Sequence, residues 1–141
     1  MTELPDDLAG ARVLLIDPSE KGALPLYTGM VAEGLVAVGL RPVLLASRHL
    51  LPPDLAISWT VHRWLPAGRW PPPPGAPVAP AWRQAISWLG CALVIVAAAI
   101  ALRPKIIHVQ HPIHPRLDPI LLRILTRLAP VVWTAHDVLP H

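Results

Sequence analysis

Gln84–Leu102 reads QAISWLGCALVIVAAAIAL, 19 consecutive residues without a charge. As a helix this stretch measures about 28 Å, close to the hydrocarbon thickness of a bilayer. Two architectures follow: the helix crosses lipid, or it lies over a sheet as a crossover. Crossing would strand residues 103–141 on the far side, and so short a piece buries too little apolar surface to fold alone. Those residues nevertheless read as strand, helix and strand. Lys105–Gln110 (KIIHVQ) is a short apolar run; Asp118-Pro119 resembles an N-cap followed by the proline favoured at a helix start. Leu117, Ile120, Leu121, Ile124 and Leu128 recur at helical spacing, and Pro130–Ala135 (PVVWTA) is a further strand. The crossover is therefore the expected arrangement, with Gly90 and Ala97–Ala99 allowing close approach to a sheet.

Upstream, the same pattern repeats. Arg12–Asp17 (RVLLID) is a branched apolar run bounded by Gly10 and Pro18, the signature of a strand buried on both faces. Pro25–Val38 sets Tyr27, Val31, Leu35 and Val38 on one helical stripe, and Gly39 stands where a helix end accepts positive φ. Pro42–Ser47 (PVLLAS) and Thr60–Trp64 (TVHRW) complete a set of about five parallel strands. The expected fold is α/β, a Rossmann-like doubly wound sheet ordered 3-2-1-4-5. It would occupy residues 11–141 after a tail at 1–10, with a Pro-rich loop at 66–80 and the very apolar helix at 81–102. That loop holds Pro71–Pro74 in a row, favouring extended backbone that cannot join a ladder. Trp64, Trp70 and Trp82 flank it and make it a possible docking lip, although packing against its own domain is the commoner fate.

Composition narrows the function classes. With 141 residues, 53% hydrophobic and 15% charged, the chain is one compact domain and no disordered tail. Net charge +3 comes from ten Arg and two Lys spread along the chain. No arginine-rich run or recognition helix accompanies it, so nucleic acid is not an expected partner. A lone Cys91 closes no bridge, and the acidic N-terminus MTELPDDLAG lacks the basic start and apolar core of a leader, so the expected compartment is the cytosol. A helix apolar all round leaves an outward face for lipid or protein, which allows peripheral contact at the inner face of a membrane. Arg123 and Arg127 could there meet lipid phosphates, though a solvated face is the plainer reading.

In a doubly wound sheet of this order the ligand site lies beyond the carboxyl ends of the first and fourth strands. That rule picks out Asp17, Ser19, Glu20, Lys21 and Gly22 after the first strand, His111 and His114 after the fourth, and His136-Asp137 after the fifth. Neither Gly-x-Gly-x-x-Gly nor the P-loop pattern occurs, which disfavours nicotinamide and ATP-hydrolysing chemistry. Gly22 still permits close backbone approach to an anion, and an ordinary turn explains it as well. His108, His111 and His114 are three apart; strand neighbours at that spacing point to opposite faces, so no metal site is expected and His108 reads as a core-strand histidine. Cys91 sits in the apolar run, and no Gly-x-Ser-x-Gly elbow is present, so nucleophilic catalysis has no anchor. His136-Asp137 is the best candidate, because imidazole at a strand end can bind a hydroxyl or take its proton near neutral pH; a capping pair that merely turns the chain is the alternative.

Taken together, RVLLID, the Gly-bearing loop and helix, Gly39-x-x-Pro42-Val43, RPKIIHVQH and VVWTAHDVLPH resemble the N-terminal domain of glycosyltransferase family 4, two-domain enzymes of the GT-B fold. The likeness spans roughly residues 11–141 and is most specific in the last eleven. It implies an acceptor-binding half that works with a C-terminal donor-binding domain or subunit, moving a sugar from a nucleotide-sugar donor to a membrane-proximal, lipid-linked or glycan acceptor. No metal or other cofactor is implied. Ser19–Ala23 would lie near donor phosphates and acceptor, and His136 matches the family histidine that orients the transferred sugar. Two departures are visible: the paired glycines frequent in the first loop are reduced to Gly22, and Lys105 replaces the usual acid before the fourth strand. The sequence ends at His141, before any Glu-x7-Glu donor signature, so these residues alone are not expected to complete transfer. The alternative from another class is a non-catalytic, membrane-associated binding module that recruits a partner through residues 81–102 and the Trp/Pro loop.

Overall fold

The computed structural model describes residues 5, 8–19, 24–47, 58–66, 79–111, 113–114 and 116–134. Strands β1 (Arg12–Asp17), β2 (Arg41–Ser47), β3 (Thr60–Leu65), β4 (Ile106–Val109) and β5 (Val131–Trp133) form one sheet ordered β3-β2-β1-β4-β5. All four pairings are parallel. Helices α1 (Leu24–Ala37), α2 (Ala81–Leu102) and α3 (Asp118–Leu125) connect them. The fold is α/β with a Rossmann-like doubly wound sheet, in the strand order expected from sequence.

Alternation along β1 explains why both faces are covered. Val13 and Leu15 join Leu44, Ala46 and Ala32 of α1 in one apolar cluster, whereas Leu14 and Ile16 join Leu45, Ile107, Ile95 of α2 and Leu125 of α3 in the other. A strand clothed on both sides needs apolar residues at every position, which is why RVLLID and PVLLAS carry no polar alternation. α1 ends as Gly39 takes φ +84°, and Leu40 and Gly39 donate to the Leu35 and Val36 carbonyls at 2.9 Å each. This is the paired closure that a residue without a Cβ makes easy.

α2 is the crossover from β3 to β4, and both strands belong to the same sheet. Cys91, Ala92, Ile95, Ala98 and Ala99 are its buried residues, so small side chains at the contact let the helix sit close. At its end Arg103 adopts a left-handed conformation, φ 47°, and the Arg12 guanidinium donates to the Leu102 carbonyl. A cation at the helix C-terminus is electrostatically favourable there.

Two helical stripes differ from expectation. On α1 Thr28 and Ala32 are buried and Val31 and Leu35 half-buried, while Tyr27 and Val38 face outward. Small residues bring α1 down onto the strands, rotating the larger ones to the rim. On α3 the buried residues are Asp118, Leu121 and Leu125; Ile120, Ile124 and Leu128 are exposed. α3 carries apolar residues on two sides, so spacing alone does not choose the inner one.

Candidate functional site

The order β3-β2-β1-β4-β5 puts the topological switch point between β1 and β4, where the chains following adjacent strands diverge to opposite faces. Gln110 N–H donates to the Ile16 carbonyl at 2.9 Å, carrying β1–β4 pairing to the sheet edge, and Thr134 N–H donates to Val109 at 3.0 Å. The segments leaving β1, β4 and β5 therefore start side by side.

Asp17 closes β1 and is fully buried. Its Oδ1 accepts from the Ser19 N–H at 2.9 Å and from the Ser19 hydroxyl, and its Oδ2 accepts from Thr28 Oγ1 at 2.5 Å. Ser47 Oγ at the end of β2 donates to the Ser19 carbonyl at 3.2 Å. These bonds fix the first turn after β1 against α1 and β2, with the carboxylate engaged by three donors. Ser19 is 6% exposed and its hydroxyl is turned into this lock, so it shapes the loop from beneath. Glu20, Lys21 and Gly22 lie outside the described residues.

On β4, His108 Nε2 and Thr134 Oγ1 share a 2.7 Å hydrogen bond, tying β4 to the exit of β5. Burial pushes the His108 pKa down, favouring neutral imidazole. Gln110 is 1% exposed, and neither atom of its side-chain amide has a hydrogen-bond partner among the described residues. An amide so placed costs stability unless something else satisfies it. The sequence presents Gln110 only as a strand end; the signal is that an uncharged polar side chain directly follows the apolar strand Ile106–Val109.

His111 and His114 are half-buried beyond β4. His114 Nε2 donates to Gln84 Oε1 at 3.2 Å, while its backbone N–H meets both Asp118 oxygens at 3.0 and 3.1 Å. Ile113 N–H donates to Asp118 Oδ2 at 2.8 Å and the Trp88 indole to Oδ1 at 3.0 Å. Asp118 thus occupies the first turn of α3 and holds the β4–α3 loop to α2; it does not cap the helix as its sequence position suggested, and Leu117 is the N-cap residue. Burial raises its carboxyl pKa, with the Trp88 and backbone hydrogen bonds opposing that shift.

Beneath this loop is an apolar hollow with about 10 Å³ of free volume, at the limit for one water molecule. Ile16, Ile95, Val109 and Trp133 are among its lining residues. Of the sequence candidates, Ser19, His111 and His114 stand at the ends of the neighbouring strands β1 and β4, Ser19 inward and His114 anchored to α2. His136 and Asp137 lie outside the described residues, as does most of the 66–80 loop. Among the described residues no group of three or more His, Cys, Asp or Glu side chains is gathered to hold a metal ion. Cys91 is buried, and burial with the nearby Asp118 charge pushes its thiol to about 11. No protein-family model and no curated protein matches this chain.

Proposed function

We propose that the chain is the acceptor-side half of a GT-B-type glycosyltransferase, acting with a donor-binding half to move a sugar from a nucleotide-sugar donor to a lipid-linked or glycan acceptor. One observation carries this reading: the strand order makes the segments after β1, β4 and β5 leave one edge of the sheet as neighbours. Ligands of open α/β sheets bind at that edge.

In this reading the Asp17–Ser19–Thr28 lock fixes the chain at Ser19, and Ser19, Glu20, Lys21 and Gly22 contribute ligand contacts after the first strand. His111 and His114 flank the acceptor, Gln110 lies below it, and His136 hydrogen-bonds a sugar hydroxyl with Asp137 beside it. His136 orients and forms no covalent intermediate, and no metal or cofactor takes part. The protein works at the cytoplasmic side of its acceptor.

The test supplies the donor-binding half and screens UDP- and GDP-hexoses against polyprenyl-phosphate and oligosaccharide acceptors by mass spectrometry. Transfer that falls at least about tenfold in His136→Ala, with an unchanged melting curve, supports the reading. Wild-type transfer by that variant removes His136 from the mechanism, and an absence of transfer with every donor sinks the proposal.

A further inference from the structure

The layer formed by α2 and α3 has an outer side that the sheet does not use. On α2, Trp82, Ile86, Leu89, Leu93 and Ile100 are each more than half exposed. Their spacing of three, four or seven residues puts them on one stripe opposite the buried Cys91, Ile95 and Ala98. The stripe runs about 27 Å, from the first turn to the last. Ile120 and Ile124 on α3, with Leu128 just after it, form a second exposed apolar row at intervals of four. Eight large side chains at about half exposure expose several hundred Å², at or above the roughly 300–600 Å² of the largest patch on an ordinary monomer.

Charge identifies the occupant. From residue 79 to residue 134 the sequence has six cations, Arg83, Arg103, Lys105, Arg116, Arg123 and Arg127, and one acid, Asp118. All six cations are exposed, and Asp118 is buried and engaged by Trp88 and two backbone amides. Arg83 lies on α2 and Arg123 on α3, and Arg103, Lys105, Arg116 and Arg127 lie in the segments next to these helices, so the apolar rows are accompanied by cations and by no exposed carboxylate. The Arg83 guanidinium lies 5.1 Å from the centroid of Trp82, an amphipathic pair of the kind that suits a headgroup boundary. A second copy docked through the same layer would bring like charges together, whereas an anionic bilayer meets both the apolar rows and the cations. Spanning is incompatible with the fold: α2 packs on the sheet through its inner side, and the strands before and after it belong to that sheet.

We infer that the α2–α3 layer docks flat on an anionic membrane surface, its apolar rows entering the headgroup–acyl boundary and its arginines meeting lipid phosphates. Such docking uses only residues of the segment 79–134 and is independent of sugar transfer.

The test is sedimentation of the full chain with vesicles of phosphatidylcholine alone and with about one third phosphatidylglycerol. Binding to the anionic vesicles, release by high salt and by carbonate, and little binding to the neutral ones are expected. Ile86→Ser with Leu93→Ser should weaken partitioning at least about tenfold, and Arg123→Gln or Arg127→Gln about fivefold each, with unchanged melting curves because all four side chains are exposed. The Arg variants keep the test decisive should the serine pair disturb the helix. Equal or absent binding to both vesicles overturns the inference. So does carbonate-resistant retention, the mark of a span, or a concentration-dependent dimer that the serine pair dissolves.

Discussion

Truncating two neighbours on α2 gives opposite outcomes if the helix is packed on the sheet as described. Ile95 is 0% exposed and touches the cluster that includes Leu14, Ile16, Leu45 and Ile107; Leu93, two residues earlier, is 63% exposed. Ile95→Ala removes three buried carbons, about 2.4 kcal/mol at roughly 0.8 kcal/mol each. The cavity left in a packed core raises the total to about 3–4 kcal/mol. At roughly 2–4 °C per kcal/mol for a domain of this size, the melting temperature should drop by about 10 °C. Leu93→Ala exchanges one strong helix former for another on the outer stripe, and its effect should stay within about 0.5 kcal/mol. Urea denaturation at equal protein concentration measures both. Equal losses, or a larger loss at Leu93, would mean that the opposite side of α2 is the packed one, and the crossover account would fail.

Three further outcomes follow. Gln110→Met replaces a buried amide without partners among the described residues with an apolar chain of similar volume, so it should stabilise the protein by about 1 kcal/mol in denaturant titration; a loss of that size would show that the amide is satisfied. The pH dependence of stability should have two windows of opposite sign. His108 has a lowered folded pKa, so its contribution is present above 6.5 and lost as pH falls through the lowered value, and His108→Gln should remove that slope. Asp118 has a raised folded pKa, so its contribution is full below 3.8 and lost as pH rises through the raised value; an unchanged profile in either variant, His108→Gln or Asp118→Ala, would contradict the assignment. Cys91, with its thiol pushed up to about 11 and buried, should resist a thiol reagent in mildly alkaline buffer and react once urea unfolds the chain; rapid labelling of the folded protein would refute its burial.

Much of the fold was legible because the signals were redundant. RVLLID and PVLLAS are apolar at nearly every position, which only a strand covered on both faces requires, and the crossover rules then give the order of the sheet. The limits of α2, Ala81–Leu102, were marked by Pro80 before it and Pro104 after it. The inner sides of α1 and α3 were not legible, because apolar residues occur around both helices and tertiary packing selects the small ones, Thr28 and Ala32, or the deeper row, Leu121 and Leu125. Asp118 misled for a related reason. Its place before Pro119 fits a cap, yet its carboxylate turns back to the amides of Ile113 and His114 in the preceding loop and to the Trp88 indole on α2, a partner distant in sequence.

At the candidate site, the sequence names the exits of β1, β4 and β5 and says less of the side chains packed between them. Topology alone leads to the exits of β1, β4 and β5. That Ser19 is locked to Asp17, and that Gln110 is buried without a partner among the described residues, depends on side-chain packing across strands. No periodicity encodes those distances. The outer stripe of α2 was legible only as excess apolarity, and the sheet against its inner side separates the used face from the free one.

The pairing of β4 with β1 supports both the strand-end site and the placement of α2, and solution NMR tests it directly. Cross-strand NOEs between Leu14 and Ile107 and between Ile16 and Val109, with a slowly exchanging Gln110 amide, are the expected result. NOEs that pair β4 with β3, or contacts from the inner residues Ile95 and Ala99 to lipid acyl chains, would contradict it.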